Sequence, residues 1–534
     1  LPLLLFGAVT DASHLSFEQL LDDNVIDLES WSIFMPEGFT KPMFAQAAEY
    51  LEEEGIIVIA DSIIKDAQAA DLLPVEQRVK EIATMLKVFH FPDHETVLTP
   101  WRVVNMHMGD TLGGYNFYDE TYRNSIVTPR WVEAADGETE KVFKTDDTQI
   151  LEINSKSGVY PLYLAYTLWR VKCEERRPAT EEAKLALWDE VLANHVFVLC
   201  QTLMAQKITE RVLRGYRESV VTHCMVYPKL VEILRAPDNA KNRKMKENLI
   251  NNLKKTSYWN INNGKKQMKF SAVVSNPPYQ TGVNKEPLYH HFIDLGRQLG
   301  DLGTIIHPGR FLFNAGKTPK AWNEKMLNDE HYKVVNYWSK GSDVFDSVTI
   351  KGGVAVTMWN QEVNYGAIGT FITQQDLGEI NRLVWNVATE SFSTLVYSRD
   401  LYQLVAKFYE DHPELDKRQS EGHRFDVGTT VFTLFPEVFT ENKPANDGYA
   451  FVVGRENDQR VGKWINREYL KLPDNFESYK VFMTVVNGSG VFGEPLSDPF
   501  VAEPYYAHNT TFLSVGKFET REEADACLKY MKTK

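Results

Sequence analysis

A doubly wound α/β core, preceded by a helical lead-in and followed by a separate mixed α+β domain, is the architecture that the sequence predicts. Three observations carry it. In the middle of the chain, short β-like runs at 150–153, 196–199, 272–275, 303–307 and 353–359 alternate with helical stretches, the pattern of a parallel sheet covered on both faces. Ahead of it, residues 44–51 and 75–89 repeat apolar side chains at three- and four-residue spacing, with acidic residues on the remaining faces. Beyond residue 365 come irregular loops, one helical piece at 401–408, and segments rich in Gly, Asn and aromatic residues. The expected boundaries are therefore 1–90, 91–365 and 366–534.

Composition supports large packed cores. The 534 residues exceed one small module, at roughly 150 residues per domain. Hydrophobic residues make up 43% and charged residues 25%, which excludes disorder and a collagen-like fibre. Lys and Arg number 58 against 73 Asp and Glu, a net charge of −15, so a polyanionic partner would have to meet a local basic cleft. Cys173, Cys200, Cys224 and Cys527 lie far apart, without metal-ligand or disulfide spacing, which fits a reducing, cytoplasmic compartment. The apolar opening run lacks the basic flank of a signal peptide and is too short to span a membrane, so a soluble protein with no membrane partner is expected. The chain begins without Met and ends on Lys532-Thr533-Lys534, which leads to the expectation of a fragment of a longer polypeptide.

The sharpest motif is Ala272-Val273-Val274-Ser275-Asn276-Pro277-Pro278-Tyr279, a buried-strand pattern running into Asn-Pro-Pro-Tyr. Two successive prolines fix φ and remove two backbone donors, leaving carbonyls free to face a ligand. The Asn276 side-chain oxygen and the Pro277 carbonyl can accept two hydrogens from a planar amino group, while Tyr279 offers a ring for stacking on a heterocycle. Such a nest suits an exocyclic amine held for attack on a methyl donor.

This motif resembles the signature of the amino-methyltransferases, and further segments are similar to the gamma class of N6-adenine DNA methyltransferases of restriction-modification systems, type IIG-like in carrying a target-recognition region. That likeness implies a Rossmann-like catalytic domain with S-adenosyl-L-methionine as cofactor, double-stranded DNA as partner, base flipping and direct transfer of the methyl to N6. Thr148-Gln149-Ile150-Leu151-Glu152-Ile153-Asn154-Ser155-Lys156-Ser157-Gly158 resembles the first cofactor motif, with Glu152 for the commoner Asp and Lys156 where the family usually has Gly. By the resemblance, Glu152 pairs with the donor's ammonium, Asn154 and Ser157 line its loop, and Gly158 gives a side-chain-free approach. Leu98-Thr99-Pro100-Trp101-Arg102-Val103-Val104-Asn105-Met106 resembles the preceding Thr-Pro segment, which implies that Thr99 and Pro100 meet the methionine end of the donor. On its own chemistry Thr99 is also a helix N-cap and Pro100 a first helical residue. Gln201 stands where the family places an acid for the ribose, and Ser271 where it often shows Asp.

Phe345, after Gly341-Ser342-Asp343-Val344, is placed by the resemblance as a second aromatic sandwiching the flipped base against Tyr279; a core Phe is the alternative. His290 and His291 open a helix, and adjacent helical residues diverge by about 100°, so no metal is expected. Lys241, Arg243, Lys244, Lys246, Lys254, Lys255, Lys265, Lys266 and Lys269 form a basic run with Glu247 its only acid. A solvated face is one reading, phosphate contact through Lys254, Lys255, Lys265 and Lys266 the other. Arg455 and Arg460, with 487–494, fall in the region resembling a target-recognition domain, where the arginines would reach base edges. Similar polypeptides carry nuclease and helicase regions upstream; here no Walker A motif occurs, and Asp474, Glu477 and Lys480 lack the spacing of a nuclease site. The alternatives left open are a non-catalytic DNA-recognition or coupling subunit keeping the fold, N4 of cytosine as target, and glutamine or RNA guanine methylation.

Overall fold

The computed structural model describes residues 2–8, 16–36, 38–51, 53–87, 89, 98–134, 137–261, 266–281, 285–345, 350–385, 387–388, 390–456, 459–486, 496–497 and 499–532. Contacts divide the chain into two units, Leu1–Gly378 and Glu379–Lys534.

The first unit is built on a seven-stranded sheet. Its strands are β1 (Ile150–Ser155), β2 (Val196–Cys200), β3 (His223–Val226), β4 (Ala272–Ser275), β5 (Leu302–Pro308), β6 (Tyr332–Trp338) and β7 (Val354–Asn360). Their order is 3-2-1-4-5-7-6, with parallel pairing from β3 through β5 and β7 antiparallel to both of its neighbours. This is the doubly wound order of a dinucleotide-type sheet with one antiparallel strand inserted before the last. Strands β1, β2, β4, β5 and β7 are buried along their whole length, so apolar residues dominate β2, β4 and β7, while β1 turns polar at Glu152, Asn154 and Ser155. The edge strands β3 and β6 are half-exposed and carry polar residues, which is why no apolar run marks them in the sequence.

Five helices position the site: α1 (Trp101–Thr111), α2 (Val159–Arg176), α3 (Leu203–Arg214), α4 (Ala240–Leu253) and α5 (Tyr289–Leu299). Helix α2 is buried on nearly every face, so it shows no amphipathic stripe. The helical lead-in is integral to this unit. Leu3, Leu4, Leu5 and Phe6 share one core with Ala205 and Ile208 of α3. Arg78, 3% exposed, pairs with Asp71 at 2.8 Å and donates to the Val212 carbonyl at 3.0 Å, which satisfies a buried charge with the end of α3. No helix among the described residues is long and apolar enough to cross a membrane.

The second unit holds two three-stranded sheets. In one, β8 (Tyr449–Glu456) pairs with β9 (Gln459–Asn466) as a hairpin and with β12 (Tyr506–His508) in parallel. In the other, β10 (Tyr479–Thr484) lies between β11 (Phe500–Ala502) and β13 (Phe512–Phe518), backed by the helix α6 (Arg521–Met531). Lys480 is fully buried and its ammonium donates to the carbonyls of Asn475, Phe476 and Ser478 at 2.8–3.1 Å, so it ties a turn and is not a nuclease lysine. The segment 487–494 lies outside the described residues.

Candidate active site

Strand order reverses at β1, which has β2 on one side and β4 on the other. Chains leaving β1 and β4 therefore diverge and open a crevice beyond their carboxyl ends, where open α/β sheets bind ligands. Glu152 lies opposite Val274 and Ile153 opposite Ser275, so the loop after Ile153 and the Asn-Pro-Pro-Tyr loop emerge side by side. Between them is a cleft lined by Thr99, Glu152, Asn154, Lys156, Asn276 and Tyr279 among others.

On the β4 side, Asn276 is held from two directions. Its Nδ2 donates to Thr99 Oγ1 at 2.7 Å, and its carbonyl accepts from Asn154 Nδ2 at 2.8 Å. The Asn276 side-chain oxygen is left buried and without a partner, an acceptor fixed in orientation and unused by the fold. Pro277 and Pro278 line the same cleft. Thr99 does not cap α1: Pro100 occupies the N-cap with extended backbone and no side-chain cap, so the helix begins at Trp101, one residue after the expected start. That shift frees the Thr99 hydroxyl to orient Asn276. Tyr279 is half-buried, its hydroxyl has no partner, and burial raises its pKa above the ordinary value.

Phe345 differs from the sandwich expected of it. Its ring meets Tyr279 edge-on, centroids 6.3 Å apart and planes at 66°, and it is fully buried in a core with Val103, Met106, Ile306, Val354 and Val356. Two rings in edge contact leave no slot between them for a base. Phe345 therefore supports Tyr279 from behind.

On the β1 side, Glu152 is 4% exposed, and one of its carboxylate oxygens has no hydrogen-bond partner. Burial pushes its pKa up to about 8, against a weaker lowering by Ser155. Lys156 is half-buried, lines the cleft, and burial brings its pKa down to about 8. Asn154 sits at φ +80, a left-handed turn that an asparagine tolerates, and Gln201 donates to its side-chain oxygen. Gln201 thus acts on the cleft through Asn154 and does not line it. Ser157 and Gly158 do line it. Gly158, however, has φ +75, and an added Cβ would stand 3.1 Å from Thr209 Cα and from Val212 Cβ of α3. Its missing side chain serves the turn and the packing on α3, a correction to its role as an open approach for a cofactor.

Sequence reasoning passed over Tyr160 and His107. Tyr160, 1% exposed, lines the cleft and its hydroxyl lies 2.6 Å from His107 Nδ1. His107 Nε2 is 2.8 Å from Thr304 Oγ1, which donates to the Thr357 carbonyl at 3.1 Å. Because Thr304 spends its proton on a carbonyl, His107 carries its own on Nε2, and the Tyr160 hydroxyl donates to Nδ1. The remaining lone pairs of Tyr160 are then acceptors. Burial lowers the His107 pKa to about 3, so the imidazole is neutral. A histidine inside an apolar helix two turns after Thr99 was the available signal.

The basic run is divided by α4. Met268 N–H donates to the Lys254 carbonyl, and Lys255 bridges to Gln267, so Lys254, Lys255 and Lys266 flank the start of β4. Asn276 follows the far end of that strand, about 13 Å away at 3.3 Å per residue. These three lysines thus stand at the sheet edge opposite the cleft, away from the Asn-Pro-Pro-Tyr loop. Lys269 is paired with Asp301 at 2.9 Å, and Lys265 lies outside the described residues. At the other end of α4, Lys241 and Lys244 are exposed, and Arg235, before that helix, pairs with Glu286 in the loop after Tyr279.

Arg455 and Arg460 are exposed cross-strand neighbours at the tip of the β8–β9 hairpin, with Arg460 over the Phe500 ring at 4.1 Å. The rings of His290 and His291 do not diverge; their centroids are 3.9 Å apart. Among the described residues, no three His, Cys, Asp or Glu side chains gather as metal ligands.

Comparison with known proteins bears on the β4 side. No curated protein matches the chain. Among solved structures, it is similar to the ATP-dependent Type ISP restriction-modification enzyme LlaBIII bound to DNA, at 12% identity and a TM-score of 0.40, covering 96% of this chain and 39% of that one. A DrdV–DNA complex gives 11% identity and a TM-score of 0.42, covering 99% and 60%. An O-methyltransferase from Bacillus cereus in complex with SAH gives 12% identity and a TM-score of 0.25, covering 55% and 96%. The chain thus spans less than two thirds of the first two of these structures. Residues 194–345 match the model of the Eco57I restriction-modification methylase family. That segment runs from β2 to Phe345 and contains the Asn-Pro-Pro-Tyr loop, so over this stretch the chain is similar to the restriction-modification methylases, as its motif predicts.

Proposed function

We propose that the chain is an S-adenosylmethionine-dependent DNA methyltransferase acting on N6 of a flipped-out adenine. The observation that carries the reading is the Asn276 oxygen: buried, unpartnered, and locked by Thr99 and Asn154 at the mouth of the switch-point cleft. A buried acceptor left empty by the fold is costly unless a ligand fills it. With the Pro277 carbonyl it accepts the two amine hydrogens, which directs the nitrogen lone pair toward the β1 side. Tyr279, backed by Phe345, provides the face on which the base stacks.

The β1 side fits the donor. Glu152 presents an orphaned carboxylate oxygen to the cleft, and Asn154, Ser157 and the backbone at Gly158 form the loop around it. When bound, S-adenosylmethionine would supply a methyl group on a cationic sulfur. The protein holds the amine in line with the methyl group, so catalysis is chiefly positioning. Residues 379–534 are the target-recognition domain in this reading, with Arg455 and Arg460 its candidate base or phosphate contacts. Upstream nuclease or helicase regions of a longer parent would complete a restriction-modification enzyme. The four cysteines are free thiols, which fits the reducing cytoplasm in which such DNA is found.

The test is incubation of wild-type and Asn276→Ala protein with labelled donor and duplex DNA, followed by mass spectrometry of the nucleosides. N6-methyladenine is expected from the wild type, and at least a hundredfold less from Asn276→Ala with donor affinity retained. N4-methylcytosine would change the base assignment. Duplex binding without donor binding would leave the coupling-subunit reading in its place.

A further inference from the structure

The cleft contains a charged residue, Lys156, that departs from the pattern its loop resembles. It stands where the first cofactor motif of the family this segment resembles usually has glycine, on the loop directly after β1. It lines the same cleft as Glu152, and no ion pair or hydrogen bond of its ammonium is found among the described residues. Glu152 has an orphaned oxygen in the same cleft, and the two side chains do not form a salt bridge with each other. The β1 side therefore presents one unpartnered carboxyl oxygen and one unpartnered ammonium.

The donor's charges decide what such a pair can meet. S-adenosylmethionine carries two positive groups, the sulfonium and the α-ammonium, and one negative group, the α-carboxylate. A lysine ammonium placed against either cation would be repelled in a cleft where screening by water is weak. Only the carboxylate gives it an attractive partner. Glu152 and the acceptor lone pairs of Tyr160 are the matching partners for the ammonium.

We propose that Lys156 is the counter-charge for the donor's α-carboxylate, so that the cleft recognises the amino-acid end of S-adenosylmethionine as a zwitterion. The proposal rests on the donor reading given above and adds a specificity-determining residue to it. With a pKa brought to about 8, most Lys156 side chains carry the charge at neutral pH. The positive charge also offsets the acidic balance of the chain locally, where an anionic group must enter.

The experiment is calorimetric titration at pH 7 of the wild type, Lys156→Gln and Lys156→Arg with S-adenosylmethionine and with its decarboxylated analogue. A charge-assisted hydrogen bond removed from a partly buried site corresponds to a loss of roughly ten- to a hundredfold in affinity. The wild type should prefer the carboxylated donor by about that factor. Lys156→Gln should lose the preference, binding S-adenosylmethionine more weakly while its affinity for the decarboxylated compound stays unchanged or rises. Lys156→Arg should keep the preference, and thermal melts confirm that each variant is folded. A Lys156→Gln variant that loses affinity equally for both compounds, or for neither, overturns the proposal while leaving the donor reading intact. A wild type that binds neither compound overturns the donor reading and the proposal with it.

Discussion

Replacing Glu152 by Gln should stabilise the donor-free protein, increasingly so as pH rises. The carboxyl is 4% exposed with one oxygen unpartnered, and burial raises its pKa from 4.5 to about 8. Below pH 4.5 the group is protonated whether the chain is folded or unfolded, and nothing is lost. Between 4.5 and about 8 the unfolded chain releases the proton while the folded chain keeps it, so stability falls with pH, and above about 8 the cost is complete. A rise from 4.5 to about 8, at about 1.36 kcal/mol per pH unit, comes to roughly 5 kcal/mol. Glutamine has no proton to release, and its stability is free of this dependence. For a unit of 378 residues, an unfolding entropy of about 2.1 cal/mol/K per residue turns that energy into roughly 6 °C. The assay is scanning calorimetry of wild type and variant from pH 4.5 to 9, following the transition of the first unit, since a chain of two units unfolds in more than one step. The melting curves should coincide at the acid end and separate steadily up to pH 8, with the variant higher. Parallel curves would refute the buried, strained carboxylate. The same residue should bind donor only as the anion, so S-adenosylmethionine binding at pH 7 should release close to one proton, visible as a dependence of binding enthalpy on the buffer.

Gly158→Ala should cost at least about 1 kcal/mol, because the position has φ +75 and a Cβ would press on the Thr209 backbone; an unaltered melting temperature would show that α3 can yield. Gly158→Val should fail further in stability before donor affinity can be read. Neutralising Lys254, Lys255 and Lys266 together should leave duplex affinity and its salt slope unchanged, since they flank the start of β4; fluorescence titration at several salt concentrations decides it, and a slope lowered by about 0.9 log unit per lost contact would return them to the DNA interface. In the same titrations, Lys241→Gln with Lys244→Gln should lower that slope.

What the sequence determined by itself is everything that periodicity and local chemistry encode. The five internal strands of the sheet are buried on both faces, so each carries a short apolar run, interrupted by Glu152 in β1, Thr304 in β5 and Thr357 in β7, and Asn-Pro-Pro-Tyr follows one of them without a gap. The motif's prolines restrict the backbone within the motif itself, and the site could be located from them. The edge strands β3 and β6 were not legible, because a strand with one free side and half-exposed residues leaves no apolar signature. Partnerships across the chain were likewise decided only by the fold. Thr99 and Asn276 are 177 residues apart, yet their hydrogen bond leaves the asparagine oxygen as the open acceptor. Phe345 could be placed near Tyr279 from its order in the chain, but only packing turned its ring edge-on and buried it. The glycine at 158 was legible as a glycine; which surface needs its missing side chain depends on α3, about 50 residues later. The lysines after α4 looked close to the motif in sequence. A helix that runs back along the sheet sets them at its other edge, because a parallel crossover must return the chain to the start of the next strand.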